Sequence, residues 1–255
     1  MTEPTAALQE QVASLGPFFA FEMHAAGSEL PSPWRTLSEV ARAESGVLRE
    51  RVTAVRAALA AGSGRPAEAV ELRVAASVAH LGLVARIISP MLGLAALHGL
   101  PSRPPILDEL GWHSGLGGAF PLSLPRETVA AAATSGTGSV AGAGAGAVGD
   151  MLDGPIGDLV DAVAAYSVSR RILWGNVASA VNGAAAGIVS AAPALARPAR
   201  AAALLFLRRP QLRDAYTLDV RNGRFRRRSC CLIYRAAPDA AGATCGDCVL
   251  VRPRP

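Results

Sequence analysis

All four cysteines of this 255-residue chain lie in its last 26 residues. Cys230 and Cys231 stand side by side, thirteen residues follow, and Cys245-Gly-Asp-Cys248 closes the set. Four thiols gathered in so short a segment constrain its fold more than any residue preference does, because the backbone there must turn until the sulfurs converge. Thiolates bind zinc and iron–sulfur clusters, and four of them complete the ligand set of either.

The spacing bears on which metal is held. Gly246 lets the chain fold back so that Cys245 and Cys248 face one metal. Cys230 and Cys231 are harder to bring onto one ion, since neighbouring side chains of an extended segment point to opposite faces. A two-iron cluster accepts sulfurs from different directions more easily, so the spacing leans toward [2Fe–2S] and leaves zinc open. Two disulfides would fit a small secreted domain, but the N-terminus MTEPTAALQEQVASLGPFF lacks the basic region and apolar core of an export signal. A dithiol redox motif would open a helix early in a βαβ unit, whereas Cys248 lies seven residues from the end.

The flanking residues carry a resemblance. Arg227-Arg-Ser-Cys-Cys-Leu-Ile-Tyr-Arg235 with Cys245-Gly-Asp-Cys-Val-Leu250 resembles the C-terminal signature of the FhuF-like ferric siderophore reductases. Leu173-Trp-Gly-Asn-Val-Ala-Ser-Ala180 is similar to a central block of that family's actinobacterial branch, and Arg86-Ile-Ile-Ser-Pro-Met-Leu92 to an upstream block. The resemblance implies a [2Fe–2S] protein with Cys230, Cys231, Cys245 and Cys248 as ligands. It implies an oxidoreductase that passes one electron to siderophore-bound Fe(III), releasing iron as Fe(II) in the cytoplasm. Its partners would be a ferric siderophore and a donor such as a ferredoxin or flavin reductase. The spacer between the cysteine pairs is longer than is usual in the family. The extra residues fall in the turn-forming Pro238-Asp-Ala-Ala-Gly-Ala243, read as a longer loop tip.

Composition predicts the scaffold. The chain is 51% hydrophobic but only 5% aromatic, and its abundance of Ala and Gly favours closely packed helices over a β-sandwich. The expected fold is mainly α (α+β): a helical body over 1–209 and a small C-terminal β-hairpin and loop module over 210–255. The Ala/Gly/Ser stretch 128–149 reads as a flexible linker. Helices are expected over 4–26, from the Thr36–Glu39 capping box to Gly62, over Ala67–Ser89, onward from Pro90, and from Pro155 to Arg209. Residues 106–124 read as a hairpin or loop pair. Tyr216–Val220 and Arg224–Arg226 read as strands around Asn222-Gly223, with Leu232–Tyr234 and Val249–Val251 as a second excursion. Ile172–Ala196 is uncharged and long enough to span a bilayer, but its Asn, Pro, Ala and Gly favour a buried helical pair, so no transmembrane segment is expected.

The net charge of +5 is carried by arginine alone, as the chain has no lysine. Arg224, Arg226, Arg227, Arg228 and Arg235 crowd the cysteines. A zinc-stabilised four-cysteine module binding nucleic acid or a protein partner is one reading of that run. Tuning of an anionic cluster, with a rim attractive to an anionic donor or siderophore, is the preferred one, with no nucleic acid as partner. A non-specific [2Fe–2S] electron carrier is a further alternative. His24, His80, His98 and His113 form no ligand pattern, and His80 and His98 read as packed or surface residues. Trp174-Gly-Asn176 reads as packing at a close helix–helix approach, or as support for the cluster loop. Ser229 is a candidate donor to a cluster sulfur or part of a local turn.

Overall fold

The 26-residue helix α4, Leu72–Leu97, is apolar on every side and is buried almost throughout. A helix without a polar face must be surrounded by other elements, and here the surroundings set the architecture. The computed structural model describes residues 3–113, 115, 119–134, 143–219, 223–237 and 244–250. In chain order the other helices are α1 (Glu3–Ala13), α2 (Ser38–Ala41), α3 (Val47–Ala61), α5 (Arg126–Thr134), α6 (Ala143–Asp153), α7 (Pro155–Ala164), α8 (Arg170–Ala191) and α9 (Ala196–Leu207). Helices α3, α7, α8 and α9 enclose α4.

Helix α8 is the closest partner of α4, and the two run parallel. Asn176 meets Ser77 and His80 at one end, and Ala184 and Gly187 lie with Ala85 and Ser89 along a groove farther on. Small residues on α8 permit this approach. Both helices are long and apolar enough to cross a membrane, but 78% and 56% of their most apolar windows are buried within the protein, as in core helices.

Several expected boundaries shift. Pro90 does not start a new helix; it lies inside α4, where packing on both sides holds the helix through the missing N–H. The first helix ends at Ala13, and the buried Leu15 and Phe19 belong to the turn after it. The stretch expected as a linker is helical at both ends: Val129 and Ala132 of α5 and Val148 of α6 are fully buried. Residues 135–142 of that stretch lie outside the described residues. The capping box survives in half, as Thr36 N–H donates to Glu39 at 3.3 Å.

Two sheets complete the fold. A four-stranded sheet has the order β1-β4-β3-β2, built from Glu22–His24 (β1), Arg35–Thr36 (β2), Gly111–Trp112 (β3) and Leu122–Pro125 (β4). Strands β1 and β4 are parallel, the other pairs antiparallel, and β3–β4 is the hairpin expected within 106–124. Buried Arg86 of α4 links this sheet region to the core, donating to the carbonyls of Phe120, Phe18 and Ala20. Beyond α9 the two-stranded β5–β6 hairpin, Tyr216–Leu218 and Phe225–Arg227, leads to the cysteines. The fold is mainly α with a small C-terminal β-hairpin.

Candidate metal centre

The hairpin aims the cysteine segment. Tyr216 pairs with Arg227 and Leu218 with Phe225, and Gly223 takes the left-handed conformation that favours glycine (φ 68°); residues 220–222 of the connection lie outside the described residues. Strand alternation puts Phe225 and Arg227 on the inner face, with Arg226 between them facing outward. Phe225 stacks on Tyr216 with ring centroids 5.2 Å apart, and Arg228 N–H bonds to Ala215 O at 2.9 Å. The chain then enters Ser229-Cys-Cys231 in a fixed register.

Leu232 bends the chain directly after the neighbouring cysteines. Its φ of 71° is uncommon for a branched side chain and reverses the chain immediately after Cys231. A single 3₁₀ turn, Ile233–Ala236, follows. Among the described residues the expected second strand pair is not formed: residues 232–236 turn, and so do 249–250, while Val251 lies outside the described residues. The Cys245–Cys248 loop docks on β6 instead, with Arg227 N–H donating to Asp247 O at 3.0 Å and Arg226 donating to Val249 O at 3.3 Å.

The sulfurs fall into two pairs, each taking one cysteine from each motif. Cys231 Sγ and Cys245 Sγ are hydrogen-bonded at 3.6 Å, and Cys248 lies near enough to Cys230 to help raise its thiol. Two sulfurs about 2.3 Å from one tetrahedral metal stand about 3.8 Å apart, so the first pair already has the spacing of shared ligands. Among the described residues no three Cys, His, Asp or Glu side chains converge on one ion. Backbone donors point at the sulfurs in a repeated pattern: Leu232 N–H to Cys230 at 3.3 Å and Leu250 N–H to Cys248 at 3.4 Å, each two residues on. Such N–H···S bonds favour the thiolate that a metal needs. The donor set fits a [2Fe–2S] cluster.

Burial and charge differ between members of a pair. Cys231 and Cys248 are buried, while Cys230 and Cys245 are half-buried and face the surface. The bond from Cys245, with help from Ile233 N–H and Arg227, lowers the Cys231 thiol to about 6 despite burial. The same bond, together with burial and the Asp247 carboxylate, raises Cys245. Burial raises Cys230.

The helical body grips this segment from two sides. Ser229 Oγ donates to Arg171 O on α8 at 3.1 Å, and Gly175 faces Ser229 and Arg227 with no space for a side chain. Gly175 therefore serves the approach of the cysteine loop to α8, not a helix–helix contact, and Ser229 anchors the backbone instead of a sulfur. On the other side Arg235 forms an ion pair with Glu71, Arg65 donates to Ala236 O at 3.4 Å, and Ala236 packs on Val70 and Val74. Arg235 is thus a strut to the start of α4.

The sequence reading missed a polar chain buried beneath the sulfurs. Arg227, only 1% exposed, donates to Asn176 Oδ1 at 2.5 Å; Asn176 Nδ2 donates to Ser77 O at 3.0 Å and lies 3.4 Å from His80 Nδ1. Strand alternation from Phe225 would have placed Arg227 inward; nothing local linked it to Asn176, 51 residues earlier. His80 is packed in the core, as expected, with its pKa lowered to about 3 by burial and by Arg227. The remaining histidines stay apart from the cysteines: His24 pairs with Ser123, His98 with Gln11, and His113 packs edge-on to Trp34.

Comparison with known proteins adds one match. The family model described as FhuF 2Fe-2S C-terminal domain matches residues 227–250. No curated protein matches the chain. The matched segment begins at the buried Arg227 and contains all four cysteines. Residues 227–250 of this chain are thus similar to the FhuF 2Fe-2S C-terminal domain, which is described as a [2Fe–2S]-binding domain.

Proposed function

We propose that this protein is a ferric siderophore reductase, an oxidoreductase that reduces siderophore-bound Fe(III) to Fe(II) in the cytoplasm. The observation that carries the reading is the 3.6 Å contact of Cys231 and Cys245, one sulfur from each motif, inside the four-cysteine segment matched to a FhuF 2Fe-2S domain. Cys231 with Cys245, and Cys230 with Cys248, are the proposed ligand pairs, and residues 210–255 the proposed cluster-binding module. A bound [2Fe–2S] group supplies one electron at a time, the number that converts Fe(III) to Fe(II).

The residues around it support that role. Cys230 and Cys245 reach the surface, so an electron need not cross a thick protein wall. Exposed Arg171, Arg224 and Arg228 make the surrounding surface basic, favouring the approach of an anionic ferric chelate and of an acidic donor such as a ferredoxin or a flavin reductase. No general acid, base or nucleophile is needed. Siderophore oxygens are hard ligands suited to the ferric ion, and the softer ferrous ion is held less tightly, so reduction itself frees the iron.

A single-turnover experiment tests the reading. Chemically reduced protein is mixed anaerobically with a ferric siderophore and a ferrous-specific chelator. One captured Fe(II) per reduced centre, with matching recovery of the oxidised visible spectrum, supports it. Reduced protein that remains reduced in the presence of hydroxamate, catecholate and carboxylate ferric siderophores alike refutes it.

A further inference from the structure

We propose that Arg227 is a positioning residue of the metal centre: its buried guanidinium, anchored on Asn176, sets the charge beneath the sulfurs and holds the reduction potential up. The inference rests on the [2Fe–2S] reading and concerns a residue that is not itself a ligand.

The position of the charge is unusual. Arg227 is 1% exposed, and its Nη2 donates to Asn176 Oδ1 at 2.5 Å and to Ile172 O at 3.4 Å. Its Nε and Nη1 are sealed from solvent and have no hydrogen-bond partner among the described residues. The arginines in ion pairs with carboxylates among the described residues are others: Arg35, Arg42, Arg73, Arg103, Arg170 and Arg235. A guanidinium remains charged in proteins, and burying one without a counter-ion is strongly unfavourable. The helical body offers it one carbonyl and an amide oxygen, which solvate the cation without neutralising it. The negative charge it lacks is what a four-thiolate iron–sulfur group carries, and Arg227 N–H is bonded to Asp247 O of the Cys245–Cys248 loop at 3.0 Å.

Burial separates Arg227 from the rest of the arginine run. Arg228 is exposed and Arg235 is paired with Glu71. Charges in water are weakened by its dielectric and by salt, whereas a charge in the protein interior acts several times more strongly at the same distance. An added electron is therefore stabilised chiefly by Arg227. Placement also matters: Arg227 N–H holds Asp247 O within the Cys245–Cys248 loop while its side chain holds α8. One residue thus ties both cysteine motifs to the helical body.

The test is an anaerobic redox titration of full-length protein, followed by visible absorption and EPR. Arg227→Gln is expected to lower the equilibrium constant for cluster reduction at least tenfold, a downward shift of 59 mV or more for one electron. Arg228→Gln, which removes an exposed charge, is expected to shift it by less than half as much, and Arg227→Lys to stay within threefold of wild type. An Arg227→Gln protein with an intact cluster and unchanged potential overturns the proposal while leaving the [2Fe–2S] reading in place, as do equal shifts in Arg227→Gln and Arg228→Gln. If Arg227→Gln takes up no cluster, Arg227→Lys decides. A loaded lysine variant at the wild-type potential supports a charge role; a lysine variant that fails to load, or falls tenfold, overturns it. Wild-type protein that cannot be loaded with a cluster overturns the parent reading as well.

Discussion

Gly175 and Ser229 stand so close that a Cβ on the glycine would overlap the serine hydroxyl, which is itself bonded to Arg171 O on the same helix. The contact seats the cysteine segment on α8. Gly175→Ala must displace Ser229 and press on Arg227, an overpacking expected to cost about 1–3 kcal/mol. Gly183, two turns along the same helix, has nothing near its missing side chain. Gly183→Ala is expected to gain about 0.5–1 kcal/mol from helix preference alone. Urea denaturation of both variants measures the contrast, and equal effects would show that the contact at Gly175 is not restrictive.

Asn176 is the side-chain acceptor for a buried cation. Asn176→Ala leaves the Arg227 guanidinium with the distant Ile172 carbonyl and no side-chain partner. Removing a neutral hydrogen-bond partner of a buried charge is expected to cost about 1.5–3 kcal/mol. A loss below about 1 kcal/mol in equilibrium unfolding would mean that water or a shifted side chain replaces the amide.

His80 makes stability depend on pH with a definite sign. Burial, with Arg227 nearby, lowers its folded pKa to about 3 from 6.5. The folded protein keeps the imidazole neutral while the unfolded chain takes up a proton below 6.5, so this contribution is flat above that pH and turns against folding as pH falls toward 3. His80 alone is expected to make the protein about 2 kcal/mol less stable at about pH 5 than at about pH 7. Unfolding free energies at the two pH values, in wild type and His80→Gln, check this; an equal pH response in both would remove His80 as the source.

Each sulfur pair predicts a spectral outcome. Replacing a thiolate ligand by an alkoxide or water changes the charge-transfer bands and the potential of an iron–sulfur group. Cys248→Ser, in the buried half of the Cys230 pair, is expected to abolish the cluster or shift its visible spectrum strongly. Cys231→Ser should do the same for the other pair. An unchanged spectrum in either variant would strike that residue from the ligand set.

Local chemistry was the legible part. The cysteine cluster, the β5–β6 strand pair and the α3 stop at Gly62 each follow from residues within a few positions of one another. What escaped depended on distant partners. The β1-β4-β3-β2 sheet joins strands of two to four residues drawn from separate stretches, too short for a period to register. Pro90 reads as a boundary, yet surrounding helices hold α4 through it. The Ala/Gly run looked like a linker because small residues have little hydrophobic signal, although Ala132 and Val148 are fully buried. At the centre, the ligand candidates were visible and their support was not: Asn176, Ser77 and His80 meet Arg227 only through the packing of α4, α8 and β6.

The central claim is that the four cysteines hold a one-electron [2Fe–2S] group. Visible absorption and EPR of anaerobically purified, full-length protein, before and after dithionite, with iron and acid-labile sulfide quantified on the same sample, test it most directly. The account predicts a red-brown protein with equal iron and sulfide, partly bleached on reduction, that gains an S = 1/2 signal accounting for one electron per cluster. A colourless protein that binds one zinc per chain, and stays colourless after cluster reconstitution, would contradict it.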